Sequence, residues 1–129
     1  MQTGQKDLKN LPYKKASVIS DVSPGDVIDF TYCGLSHEGV VIQVQYPESV
    51  KCSVVHYNYA GVLGTRSVVE EMFDFNLSDQ NVFVHDYSGC EVYTPSEVVR
   101  RARSRIGEKK FNTFTNRSSH LAKWCKIKE

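Results

Sequence analysis

The hydrophobic period of this chain changes once, near residue 93, and that change limits the folds open to it. Before it, apolar residues come in short runs rich in Val, Ile, Tyr and Phe: "DVIDF", "HEGVVIQVQY", "KCSVVHYNY", "SVVEEMFDF" and "VFVHDY". Runs of this kind, bounded by turn-prone Gly, Pro, Asn, Asp and Ser, read as β-strands. One of them, "SVVEEMFDF", has a helical alternative because Val69, Met72 and Phe73 fall at i, i+3 and i+4; strand is preferred. After residue 93 the spacing becomes three and four. Thr94 is placed as N-cap, Pro95 at the first helical position and Glu97 as capping-box partner. Val98, Val99, Ala102 and Ile106 then line one side, up to a stop at Gly107. A second helix is expected from Asn116 or Arg117, capped by Thr115 or Asn116, with Leu121, Trp124 and Cys125 as its apolar stripe. Strands first and helices last predict an α+β domain, an antiparallel β-sheet with C-terminal helices at one side.

With 129 residues the chain has room for one core, so residues 23–129 are expected to form a single domain. Residues 1–22 are polar and aperiodic and read as a flexible arm. A formal charge of +1 gives no global attraction to nucleic acid, which is excluded as a partner. Neither a bilayer-spanning run nor the apolar core of a secretory signal is visible, so the expectation is a soluble, cytoplasmic protein. Cys33, Cys52, Cys90 and Cys125 show no CxxC spacing and read as free thiols in a reducing compartment. No cofactor is implied, and Cys33, His37 and His56 lack the spacing of a metal site.

Two histidines stand out. His37 and His56 fall on the two strands of the expected hairpin around "PESV". A turn at Tyr46 and Pro47 sets them opposite each other, roughly 5 Å apart at Cβ. A turn at Glu48 and Ser49 offsets them by four residues, roughly 13 Å. Both registers keep them on one face, where they can serve as base and orienting partner, as metal ligands, or as unrelated strand histidines. His85 reads as structural or exposed.

The element order and several motifs resemble the lecithin:retinol acyltransferase and HRAS-like-suppressor phospholipid acyltransferases, a permuted branch of the NlpC-type papain-like superfamily. "PGDVIDF" followed by "SHEGVVI" is similar to that family's opening strand and histidine box, and "SVVHY" to its second-histidine segment. "TPSEVVRRARSRIGEKKFNTFTNRSSHLAKWCK" resembles the closing helix, aromatic segment and nucleophile helix. The resemblance implies His37 as base, His56 as its orienting partner and position 118 as nucleophile. The family has a cysteine there, preceded by Asn; this chain has Arg117 and Ser118, and Glu38 follows the first histidine where the family has an aromatic.

A helix N-terminus favours a thiolate, but a serine hydroxyl starts many pK units higher and needs its proton removed during attack. Ser118 is therefore expected to leave the domain inactive or very slow, acting by lipid or protein binding. The alternative is a genuine phospholipase A1/A2 and N-acyltransferase seen as a Cys-to-Ser variant. The neighbouring departures favour natural divergence, and a serine near a helix start also serves as an ordinary cap. Arg100, Arg101, Arg103 and Arg105, with Lys109 and Lys110, form the densest basic stretch. They read either as a solvated helix face or as an attachment surface for anionic lipid headgroups, placing the protein peripherally at membranes.

Overall fold

A computed structural model of the chain describes residues 12–17, 19–45, 51–59, 61, 64–75, 77, 80–112 and 114–128. Six strands form one antiparallel sheet: β1 (Tyr13–Lys15), β2 (Val27–Tyr32), β3 (Leu35–Val44), β4 (Lys51–Tyr57), β5 (Val68–Asp74) and β6 (Phe83–His85). Two helices follow, α1 (Pro95–Ser104) and α2 (Ser118–Lys126). The order across the sheet is β1-β6-β2-β3-β4-β5, so β2 to β5 run as a meander and β6 returns to the free edge of β2. The α+β class with C-terminal helices is as expected. Among the described residues, no helix is long and apolar enough to cross a membrane.

The central strands are buried on both faces, which is why their sequences carry consecutive rather than alternating apolar residues. Neighbours such as Val27 and Ile28, Val40 and Val41, and Val54 and Val55 point to opposite sides and all are fully buried. One face packs Val27, Val40, Ile42, Val55 and Tyr57 against Val98 and Ala102 of α1 and Leu121, Ala122 and Cys125 of α2. The other packs Ile28, Phe30, Val41, Cys52 and Val54 beneath Ala16, Val22, Phe75, Leu77 and Val82. Ala16 and Val22 correct the expected arm: β1 pairs with β6, a 3-10 turn spans Ile19–Asp21, and the core claims part of the segment. Of that arm, residues 1–11 and 18 lie outside the described residues.

The helix ends follow their chemistry unequally. Thr94 caps α1, its side chain accepting the Glu97 N–H at 3.3 Å, with Pro95 in the first turn. Ile106 lies past the end of α1 and is exposed, which corrects its place on the apolar side. In α2 the N-cap is Arg117, not Thr115 or Asn116, and helical structure begins at Ser118. Trp124 is also partly exposed; its ring is covered by the guanidiniums of Arg101 and Arg105 rather than by the core.

The β2–β3 connection is a two-residue hairpin, Cys33 and Gly34, both at positive φ (51° and 82°), the conformation that matches strand twist in a tight turn. The β3–β4 turn, residues 46–50, lies outside the described residues. Its register is neither of the two expected. Gln43 opposes Ser53 and Val44 opposes Cys52, but a bulge at Ile42 shifts the pairing so that Val41 opposes Val54 and Val40 opposes Val55. A one-residue slip exchanges the faces of every following side chain. Without the bulge His37 and His56 would fall on opposite faces; with it they share one, two residues out of step.

Gly39 is buried beside this shift, and a Cβ there would land on Cγ1 of Val54 and crowd the Val55 carbonyl. Gly39→Ala is expected to cost about 1–3 kcal/mol by overpacking, measured by urea unfolding. Combined with Val54→Ala it should cost less than the sum of the two single changes; strict additivity would show that the contact is not the cause.

Candidate active site

Past Val40 the β3–β4 ladder is not continued toward His37. The two strands part there, and Tyr57 N–H donates to Ser118 Oγ at 3.0 Å instead of to a neighbouring strand. The first residue of α2 therefore fits into the open end of the sheet. Ser118 is buried, and its hydroxyl caps a strand amide, not its own helix. The turn before it is fixed by Asn116, whose amide donates to Tyr57 Oη (3.0 Å), Glu108 (3.3 Å) and the Lys110 carbonyl (2.9 Å). Tyr57 Oη donates to Glu108, and Arg105 bonds the same carboxylate through Nε and Nη2. Those Arg105 bonds are the main reason the Glu108 carboxyl is pulled down to about 2.

Four side chains form a continuous line from the helix tip. Ser118 Oγ lies 3.1 Å from His37 Nε2, which lies 2.9 Å from His56 Nδ1; His56 Nε2 lies 2.9 Å from Glu71 Oε1. His37, His56 and Ser118, the three positions expected at the site, are thus brought together. Glu71 was not foreseen. It is reached from β5, where Val69 opposes His56 and Glu71 follows two residues on, a relation legible only once β4 and β5 are paired. Phe30, Tyr32 and Phe73 wall the imidazoles, with the Tyr32 ring 4.9 Å from His37 and 4.8 Å from His56.

Both imidazoles are held neutral. Burial lowers the His37 pKa to about 4, helped by the proximity of His56 and Arg66. Burial also lowers His56, against the opposing pull of Glu71. His56 Nε2 faces the Glu71 carboxylate, while its Nδ1 faces both the Tyr57 carbonyl oxygen (3.0 Å) and His37 Nε2 (2.9 Å). Ser118 Oγ accepts from Tyr57 N–H and sits against the same His37 nitrogen that faces His56.

Other expected groups fall elsewhere. Arg100 pairs with Glu97 (2.5 Å), Arg103 with Glu70 (3.1 Å) and Arg105 with Glu108 (2.5 Å), while Arg101 donates to the Trp124 carbonyl (2.9 Å). None of the four lines the cleft of about 690 Å³ beside Ser118; Arg66 and Arg117 do, with Tyr32, Leu35, Tyr59 and Phe111 as apolar wall. Cys125 is buried, and burial pushes its thiol up to about 12, so it offers no thiolate. Cys33 is exposed at the hairpin turn and lines the same cleft. His120 turns back on the helix start, accepting the Arg117 N–H at Nδ1 (3.3 Å).

A histidine whose folded pKa lies below its unfolded value binds its proton more readily when unfolded. Stability should therefore be complete above about pH 6.5 and fall as pH drops toward 4, by at most about 1.4 kcal/mol per pH unit for each such group. Urea unfolding between pH 7 and 4 should show this slope, and His37→Gln should flatten it; an unchanged slope would mean that His37 is not the buried neutral group.

No protein-family model matches the chain, and a search of the curated proteins finds no match either.

Proposed function

We propose that this chain is a permuted papain-like domain of the lecithin:retinol acyltransferase type that binds acyl lipid in the cleft beside Ser118 without turning it over. The permuted arrangement is supported by chain order: the histidine-bearing strands precede the helix that presents position 118. One observation carries the loss of turnover. Ser118 Oγ is held as the acceptor of the Tyr57 N–H, and the imidazole beside it, with His37 Nε2 at 3.1 Å, is kept by burial at a pKa of about 4, a weak base for a serine proton. The Tyr57 N–H and the helix N-terminus favour an anion at this atom. A thiol can supply that anion near neutral pH; a serine hydroxyl cannot.

The same surroundings of residue 118 favour a second reading, an authentic phospholipase A and N-acyltransferase with cysteine replaced by serine. In that reading the sulfur of residue 118 attacks the acyl carbonyl, the alcohol leaves, and the His37–His56–Glu71 line handles the proton. The cleft suits an acyl ester in either case, with Tyr32, Leu35, Tyr59 and Phe111 for the apolar chain and Arg66 and Arg117 for an anionic headgroup. A protein partner is the remaining occupant.

Phosphatidylcholine vesicles separate these readings. The protein as it stands should co-sediment with vesicles and release no fatty acid, and release by it would overturn the idle-serine reading. Ser118→Cys should gain hydrolysis that falls about 10²- to 10⁴-fold when His37→Ala is added. Hydrolysis restored by Ser118→Cys supports an enzyme-derived site; no vesicle binding by either form would overturn the lipid assignment and leave the protein partner.

A further inference from the structure

On the helix-facing side of the sheet, Asp29, Glu38 and His85 meet across three neighbouring strands. Asp29 on β2 opposes Glu38 on β3 and Phe83 on β6, and His85 follows Phe83 by two residues, which returns it to the same face. Their ligand atoms all lie within 4.8 Å of one another, and His85 Nε2 is 3.8 Å from Asp29 Oδ2. That separation is too long for a hydrogen bond. Atoms bound to one four-coordinate ion at about 2.0–2.2 Å each stand roughly 3.3–3.6 Å apart, so this pair is near that spacing, and a pair at the 4.8 Å limit closes by roughly 1.2–1.5 Å on binding.

The cluster contains polar atoms without partners. Glu38 Oε1 and His85 Nε2 are buried and make no hydrogen bond among the described residues, and neither does Tyr87 Oη. The Tyr87 side chain is only 5% exposed, and its ring lies 6.4 Å from that of His85, nearly parallel. Buried donors and acceptors are rarely left unmade, and the two orphans within the cluster indicate a missing binding partner. Ser36 Oγ donates to Asp29 Oδ1 at 2.6 Å, holding that carboxylate with its second oxygen toward His85. This is the outer hydrogen bond that orients a metal ligand.

We propose that Asp29, Glu38 and His85 bind a divalent cation, with Zn²⁺ favoured by the imidazole and Mn²⁺ as the competitor favoured by the two carboxylates. Three protein ligands leave a fourth position for water. Asp29, Ser36 and Glu38 also line the cleft of Ser118, so the ion sits beside that cleft. The site shares no ligand with the His37–His56–Glu71 line and stands whether or not the lipid reading holds. Glu38, the residue that departs from the family's aromatic, is its central ligand.

The full chain, stripped with a chelator and dialysed, is titrated with Zn²⁺ by calorimetry. One equivalent should bind. Glu38→Gln and His85→Gln should each lower the affinity by more than about tenfold, while His37→Ala leaves it unchanged. Absence of stoichiometric binding, or an affinity indifferent to both cluster substitutions, overturns the proposal. If either variant loses its fold by circular dichroism, Co²⁺ loading of the unaltered chain decides: visible bands without a thiolate charge-transfer band support the site, and a thiolate band overturns it by assigning the metal to cysteine.

Discussion

The bond between Tyr57 N–H and Ser118 Oγ holds the candidate site together. A strand that parts from its neighbour leaves a backbone donor unpaired, and a buried unpaired N–H costs about as much as a lost hydrogen bond. Here a helix supplies the acceptor. That single contact joins α2 to the open end of the sheet and sets Ser118 beside His37. The Asn116, Glu108, Arg105 and Tyr57 network approaches the same junction from the other side and fixes the turn leading into the helix.

The junction also governs the chemistry. A helix N-terminus and a strand N–H directed at one side-chain atom are electrostatically prepared for negative charge. Serine fills the space and satisfies the strand amide but does not carry the charge. The hydrogen bond that stabilises the fold at Ser118 is made by the same oxygen that stands beside His37. The neutral histidine pair is consistent with this balance: burial outweighs the pull of Glu71 on His56 and decides the protonation of both.

Charge is distributed economically over the remaining surface. The four arginines of the α1 region, which look like a lipid-attachment stripe in the sequence, each bond a carboxylate or carbonyl of the same chain. Spacing along a helix displays such residues but not their partners, because Glu70 lies on β5, thirty-three residues away from Arg103, and Trp124 lies on α2. The cations that line the cleft, Arg66 and Arg117, stand alone in the sequence, in a loop and just before a helix.

By itself the sequence determined what local chemistry determines. The change of hydrophobic period set strands before helices, and Thr94 and Pro95 set the start of α1. It also placed His37, His56 and Ser118 as one candidate site, through motif order. Tertiary structure decided the rest, because it turned on pairing between distant segments. The Ile42 bulge decided that the two histidines share a face. The β4–β5 register brought Glu71 to His56, and the β6–β2–β3 pairing assembled Asp29, Glu38 and His85. Residues 13–22 read as an arm because their apolar members are few, yet Ala16 and Val22 are buried once β6 offers β1 an edge. Hydrophobic period reports which residues seek burial; only the closed sheet determines which of them meet.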